Sequence, residues 1–277
     1  MKKQMGNRIL KILTYAILIA GSVVILMPFV WMVLTSLKPA NEVLLMPPKW
    51  FPSRIQWENY REAFHAVPFF TYLKNSIIVS VLITACELIT TVLAAFAFSQ
   101  LEFRGRQVLF LLLVATMMVP GEILMIPNFV TLARLGWIDS YKALVLPWSA
   151  SIFSIFLLRQ QFASIPQAYY KAARMDGCSD LRYLLTVMVP MSRPTLASIA
   201  LLKIINSWNA YLWPLIATNS KEMRMLPVGL SYFSTEVGTS YHTLMAFSLM
   251  IIAPTVLVYL FTQKSIIRGI SKAGLKG

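Results

Sequence analysis

The chain has 277 residues, of which 57% are hydrophobic and 13% charged, about half the charged fraction of an ordinary soluble domain. Its apolar residues gather into runs of roughly 20 or more, long enough to cross about 30 Å of hydrocarbon. That excludes a soluble globular fold and predicts an all-α membrane protein; the alternating pattern of a membrane β-barrel does not appear. The formal charge of +14 is spread between the apolar runs, as lipid headgroups and the positive-inside rule require, and not gathered as a nucleic-acid binder would have it.

In chain order, Lys2, Lys3, Arg8 and Lys11 precede an apolar run from Ile12 to Leu37. No short apolar core with a small-residue cleavage site is visible, so this run reads as a first span with its N-terminus in the cytoplasm and a kink at Pro28. Lys38–Thr71 is rich in proline and aromatic residues and lies outside, with a short interfacial helix over Asn59–Phe64. Span 2 covers Tyr72–Phe98 and holds Glu87; Gln100–Gln107 is a tight inner turn carrying Arg104 and Arg106. Span 3 covers Val108–Phe129, with Pro120, Gly121, Glu122 and Pro127. An outer turn follows at Ala133–Lys142, then span 4 at Ala143–Phe162. After a polar interval, span 5 covers Thr195–Ala217, with Lys203, Asn206 and Asn209 inside it. Thr218–Tyr241 is an outer loop, span 6 covers Thr243–Gln263, and a basic tail ends the chain.

The inner segments of this layout carry the larger share of the 25 basic residues, which places both termini in the cytoplasm. The expectation is therefore six transmembrane helices, divided into residues 1–71 (first helix and outer loop), 72–263 (the remaining five helices) and 264–277 (cytoplasmic tail). No internal repeat of the kind found in secondary carriers appears. Cys86 and Cys178 fall in different environments, so no disulfide is expected, and His65 and His242 have no ligand cluster near them in sequence, so no metal site is expected.

The interval Ser164–Pro190 is the longest polar stretch between the later spans. Ser164 and Gln167 have the spacing of a capping box, with Pro166 in the first turn. A helix over Gln167–Met175 ends at Asp176-Gly177, where glycine accepts the left-handed conformation without a Cβ clash. A second helix over Ser179–Val189 is broken by Pro190 and Pro194. By spacing alone this is either an ordinary surface loop with interfacial helices or a device for engaging a partner.

The stretch PQAYYKAARMDGCSDLRYLLTVMVPMSRPTLA resembles the "EAA" loop of binding-protein-dependent ABC importer permeases, with Ala172, Ala173, Asp176, Gly177 and Pro190 at that family's spacing. Lys171 stands where the family has glutamate. Similar stretches cover almost the whole chain: MPFVWMVLTSLKP (Met27–Pro39), MMVPGEILMIPNF (Met117–Phe129), LGWIDSY (Leu135–Tyr141), LPWSASIFSIFLLRQQFASIP (Leu146–Pro166) and SWNAYLWPL (Ser207–Leu215) resemble the carbohydrate-importer branch, in its second, maltose-type permease.

The resemblance implies a type I importer permease fold in a bacterial-type cytoplasmic membrane. It implies a second permease as heterodimer partner, two ATP-binding subunits holding ATP and magnesium, and an extracytoplasmic sugar-binding protein. Lys171, Ala172, Ala173, Asp176, Gly177 and Pro190 would then form the helix that couples to the ATPase. The same superfamily also carries non-sugar solutes such as glycerol phosphate or a polyol.

Other polar residues have two readings each. Glu122 either lines a solute path or is a satisfied structural carboxylate. Glu87 and Lys203 lean toward structure, paired with each other or with a partner subunit. Asn128, Asn206, Asn209, Trp208, Tyr211 and Trp213 are suited to sugar hydroxyls and sugar faces, yet asparagine also bonds between helices and Trp and Tyr also anchor span ends. The chain has no GxxxxGK[ST] phosphate loop and no catalytic cluster, so it is expected to be no enzyme, to bind no cofactor or metal itself and to take its energy from a partner.

Overall fold

The computed structural model describes the backbone of residues 2–235 and 238–274, and the side chains of residues 10–234, 238–257 and 259–260. Apart from one short hairpin the described secondary structure is helical. In order come α1 (Lys2–Ser36), α2 (Glu58–Ala66), α3 (Phe69–Ser99), α4 (Arg106–Ala115), α5 (Met125–Arg134), α6 (Tyr141–Val145) and α7 (Ile152–Ala163). Then follow α8 (Gln167–Met175), α9 (Asp180–Tyr183), a π-turn at Leu184–Met188, α10 (Val189–Met191), α11 (Arg193–Trp208) and α12 (Leu212–Ala217). A hairpin of β1 (Ser234–Thr235) and β2 (Gly238–Thr239) leads into α13 (Tyr241–Gly274).

Among the described residues, Leu10–Ser36 and Phe69–Ser99 are long and apolar enough to cross a membrane unbroken, and three bent helix pairs raise the number to five if each is one span. The spans expected in the middle of the chain are broken into shorter helices. Span 3 divides at Val119-Pro120: Arg106–Met118 and Gly121–Arg134 meet at 92°. The residue before a proline is pushed out of the helical region, and Val119 is extended (φ −86°, ψ 116°). Arg106–Met118 alone extends only about 20 Å at 1.5 Å per residue. Span 4 divides into Tyr141–Trp148 and Ile152–Ala163, bent by 45°. Span 5 stops at Trp208, and α12 begins again at Leu212.

α1 runs through Pro28 as one helix. α13 passes the expected limit at residue 263 and continues to Gly274; Leu275–Gly277 lie outside the described residues, as do the side chains of Lys264, Arg268 and Lys272.

Contacts divide the chain into two compact units, Met1–Phe69 with Gly229–Ala253, and Phe70–Val228 with Pro254–Gly277. In the first, the bare carbonyls at the end of α1 find side-chain partners, as a helix C-terminus requires. The Asn59 amide donates to the carbonyls of Ser36 (2.8 Å) and Lys38 (2.9 Å), and the Ser36 and Tyr60 hydroxyls share a 2.8 Å bond. Lys38, fully buried, lies 4.0 Å over the Trp31 ring. Beyond it, Glu42 gathers the Lys49 ammonium at 2.8 Å, the Ser53 N–H at 3.1 Å and the Ser53 hydroxyl. Phe247 packs between Phe69 and Phe233 at the start of α13.

The second unit is strung along α3. Its N-terminal half joins an apolar cluster of Val79, Ile83, Leu144, Trp213 and Met225. Its C-terminal half joins another, of Ala95, Phe96, Leu158, Phe162, Tyr183 and Met188. Asn75 and Ser76 fix the segment 222–226 to α3: the Asn75 amide donates to the carbonyls of Glu222 (2.7 Å) and Arg224 (3.0 Å), and Ser76 accepts the Leu226 N–H at 2.7 Å. Asp139, at φ +60°, accepts the N–H groups of Asn219 (2.9 Å) and Ser220 (3.0 Å). Burial alone would raise its pKa, yet the Ser220 and Asn219 donors outweigh it and hold the carboxyl below its ordinary range.

The hydrogen bonds from Lys49 and then Ser53 lower the Glu42 pKa from 4.5 to about 2. A depressed carboxylate contributes stability above its unfolded pKa and loses it as pH falls through the folded one. Carbon-13 titration of labelled glutamates, with Glu42→Gln to identify the signal, should find Glu42 ionised down to about pH 3; an ordinary midpoint near 4.5 would contradict this arrangement.

Candidate functional site

Two places gather functional side chains. The first is the elbow after α7. Ser164 is not the first member of a capping box: it closes α7, and its hydroxyl donates to the Gln161 carbonyl at 2.7 Å. The N-cap position of α8 falls to Pro166, which has no side-chain donor or acceptor, so Gln167 has nothing to pair with. The other end follows the expected chemistry. Gly177 is left-handed (φ +73°), its N–H bonds the Arg174 carbonyl at 3.1 Å, and the Cys178 N–H bonds the Ala173 carbonyl at 2.9 Å. These two bonds define a Schellman closure.

Each residue of the motif thus has a place. Ala172 accepts the Asp176 N–H at 3.1 Å. Ala173 and Cys178 turn inward onto the cluster around Ala95, Phe162 and Tyr183, while Lys171, Ala172, Asp176 and Gly177 are exposed. Pro190 does not break the second helix. The chain widens first, with the Val189 N–H reaching back five residues to Leu184, and continues through α10 to turn by 80° at Ser192. A proline lacks the N–H that the carbonyl four residues earlier would use, and the wide turn just before it accommodates that loss.

Local sequence spacing did not reveal the brace inside this elbow. The Tyr170 hydroxyl donates to Asp180 at 2.8 Å, Arg174 reaches the same carboxylate oxygen at 3.3 Å, and the Tyr170 ring meets Tyr183 edge-on at 5.1 Å. The bond to Asp180, with burial, raises the Tyr170 pKa. Its partners are ten residues apart across a glycine turn, a spacing with no helical period.

The second place lies midway along α3. The Lys203 ammonium of α11 sits 2.6 Å from one Glu87 oxygen, and the Ser154 hydroxyl of α7 donates to the other at 2.7 Å. Of the two pairings open in the sequence, the mutual one is found. Beside it opens a cavity of about 300 Å³, whose lining includes Lys203, Asn206, Ser207, Trp148, Tyr211 and Trp213. Trp148 and Trp213 meet edge-on at 6.1 Å, and the Trp213 indole N–H donates to the Ala143 carbonyl at 3.0 Å. Ser207 is 5% exposed and its hydroxyl has no hydrogen-bond partner, an arrangement that costs about 1–3 kcal/mol.

The predicted path residues therefore separate. Asn206 and Trp213 meet at the cavity, whereas Glu122, Asn128, Trp208 and Asn209 are not among its lining residues. Glu122 is exposed in the short 3₁₀ turn between α4 and α5, and Asn128 is half-buried on α5. Trp208 is buried at the end of α11. The Asn209 amide turns back to the Ile205 carbonyl at 3.0 Å. Sequence reasoning missed Trp148, Ser154 and Ser207, ordinary helix residues whose importance comes only from what they face.

Residues 87–272 match the family model described as the binding-protein-dependent transport system inner membrane component. The chain belongs to this family. The protein is thus a transport permease of the membrane, and its relatives support the same reading over nearly full length. The arabinooligosaccharides transport system permease protein AraQ of Bacillus subtilis (strain 168) is 34% identical, covering 92% of each chain. The sulfoquinovosyl glycerol transport system permease protein SmoH of Agrobacterium fabrum is 31% identical over 94% of this permease and 93% of that protein. The sn-glycerol-3-phosphate transport system permease protein UgpE of Brucella suis biovar 1 is 30% identical, covering 92% and 94%. Among solved structures, a chain of a bacterial ABC transporter involved in the import of the acidic polysaccharide alginate superposes with a TM-score of 0.81 at 28% identity, over 94% of this permease and 97% of that chain.

Glu87→Ala would leave the Lys203 ammonium uncompensated and should destabilise the permease by about 3–5 kcal/mol, whereas the paired change Glu87→Leu with Lys203→Met should recover most of that loss. Thermal unfolding of the purified protein in detergent measures both; a single variant melting with the wild type would contradict a structural ion pair.

Proposed function

We propose that the chain is the transmembrane permease subunit of an ATP-driven carbohydrate importer in a bacterial-type plasma membrane, with six transmembrane helices and both termini cytoplasmic. It forms the translocation path with a second permease. An extracytoplasmic sugar-binding protein delivers the solute, and two ATP-binding subunits, which hold ATP and magnesium, drive the cycle. The chain itself hydrolyses nothing.

The observation that carries this reading is the elbow. α8 presents Lys171 and Ala172 outward, while Ala173 and Tyr170 pack onto the cluster that includes α3 and α7. Force applied to the exposed side of α8 by an ATPase then reaches the long helices through buried contacts, the two-state element that alternating access needs. Lys171, Ala172, Ala173, Asp176, Gly177 and Pro190 are the coupling residues in this scheme. Asn206 and Trp213, which line the cavity, are the path residues nearest the ion pair in this scheme, and Glu122, Asn128, Trp208 and Asn209 are further candidates for the solute path that do not line that cavity.

Carbohydrate is the favoured class because the arabinooligosaccharide relative is 34% identical, above the 30% and 32% of glycerol-3-phosphate relatives that cover as much of the chain, and because a chain of an alginate importer superposes over 94% of it. The sn-glycerol-3-phosphate relatives favour a second reading, import of a small phosphorylated or polyol solute. Uptake of labelled arabino-oligosaccharide and of labelled glycerol 3-phosphate by the assembled transporter separates the two.

Gly177→Val tests the coupling role. No atom lies within 4 Å of a Cβ built at Gly177, so the cost is confined to its φ of +73°, about 1–3 kcal/mol for a branched residue. The variant should insert, assemble and hydrolyse ATP while uptake falls at least about tenfold, the factor that 1.4 kcal/mol of lost coupling gives. Unchanged uptake would contradict the role.

Lys171 carries a positive charge on the exposed side of α8, so the contacting groove of the cognate ATPase is acidic or neutral there. Lys171→Glu should weaken co-purification of that ATPase, and stronger co-purification would contradict the assignment.

A further inference from the structure

Ser207 is one of several buried hydroxyls with no hydrogen-bond partner, Ser80 and Thr91 of α3 among them, and of these it is the one that lines the cavity. The Thr84 hydroxyl turns back to the Ser80 carbonyl and that of Ser198 to the Pro194 carbonyl, each four residues earlier, the usual way a helix satisfies such a group. The Ser207 hydroxyl makes no such bond, is buried, and belongs to the lining of the cavity beside α3. Asn206, exposed, lines the same space. The rings of Trp148, Tyr211 and Trp213 line the same cavity. The Trp213 N–H is already committed to Ala143, so that ring offers the cavity apolar surface only.

We propose that this cavity is a binding subsite for one neutral sugar ring, formed by this chain's own residues; the proposal rests on the carbohydrate reading above. Size sets the number of rings. About 300 Å³ equals roughly ten water volumes, room for one ring and not for two. Chemistry sets the class. Aromatic walls suit the C–H faces of a sugar, and a hydroxyl and an amide suit its O–H groups.

Charge excludes an anion. Lys203 is the one charged residue in the lining, and its ammonium is neutralised by Glu87 at 2.6 Å. A phosphate or sulfonate would have to leave its own charge uncompensated or strip Lys203 from a buried carboxylate.

The test uses the whole transporter, this permease with its second permease and ATPase subunits, in nanodiscs. Arabinotriose and glycerol 3-phosphate are titrated into the wild type, Ser207→Ala and Asn206→Ala, with the rise in unfolding temperature as the readout of binding. Arabinotriose should stabilise the wild type and glycerol 3-phosphate should not. Each substitution removes one hydrogen bond to the sugar and should weaken arabinotriose binding about tenfold; in its absence Asn206→Ala should leave the unfolding temperature unchanged, and Ser207→Ala, which removes an unpaired buried hydroxyl, should not lower it. Asn206→Ala changes an exposed side chain, so it reads the subsite even where Ser207→Ala disturbs packing.

Equal affinity in the wild type and Asn206→Ala overturns the subsite, and so does tighter binding of glycerol 3-phosphate than of arabinotriose. Uptake measured on the same preparation distinguishes the two levels. Transport of arabino-oligosaccharide with no effect of either substitution removes the subsite alone. No saccharide transport by the wild type removes the carbohydrate reading with it.

Discussion

The ion pair between Glu87 and Lys203 is the constraint on which the larger unit depends. Two charges in an apolar bundle lose several kcal/mol of hydration each, and only close geometry with further hydrogen bonds returns it. Here the carboxylate meets an ammonium on one oxygen and the Ser154 hydroxyl on the other. Those three residues belong to α3, α11 and α7, so one polar contact fixes the mutual rotation of three helices. It lies between the two apolar clusters of α3. Neither cluster specifies register as tightly, because apolar surfaces slide past one another at small cost and charges do not.

The elbow uses different physics for a similar end. Its turn is set by backbone hydrogen bonds around a left-handed glycine, and its closure by Tyr170 and Arg174 meeting Asp180. The exposed side of α8 has few internal obligations, while its inner side is packed against the same cluster that receives α3, α7 and the π-turn. A surface element with a buried root transmits displacement; a loop held only by solvent absorbs it. The π-turn before Pro190 belongs to the same design, since it keeps Leu184 and Met188 both buried while the chain loses a backbone donor.

The helices that could be read from sequence were those whose apolar runs had no internal competitor. The first and second spans correspond to single helices, and α8 ends at the glycine where a helix must end. The third span was legible as an apolar run with Pro120 and Pro127 inside it, but not as two helices: Pro120 forces Val119 out of the helical region and breaks the run there. Ser164 was misread because spacing matched a capping box while its hydroxyl was already needed by the carbonyls ending α7.

The binding candidates were legible by residue type and not by direction. Asn206 and Asn209 look alike in sequence, yet one lines a cavity and the other bonds its own helix. Glu87 and Lys203 were legible as a pair because intramembrane charges have few places to go. Ser207 carried no signal at all, since a helical serine is unusual only when its hydroxyl lacks the bond that it normally makes.

The first helix has a consequence for what holds this protein in shape. Its 27-residue apolar stretch, Leu10–Ser36, is long enough to cross a membrane, and its most apolar window has no buried residue; the side chains that fix it belong to the residues at its C-terminal end. Its backbone hydrogen bonds are internal, so it keeps its helix wherever water is excluded, but among the described residues none in that window is buried by the rest of the chain. The surrounding hydrocarbon, or another subunit, supplies for α1 what a core supplies for α3. Solvent is therefore a structural component of this segment, and a change of lipid or detergent acts on it as a core mutation acts elsewhere.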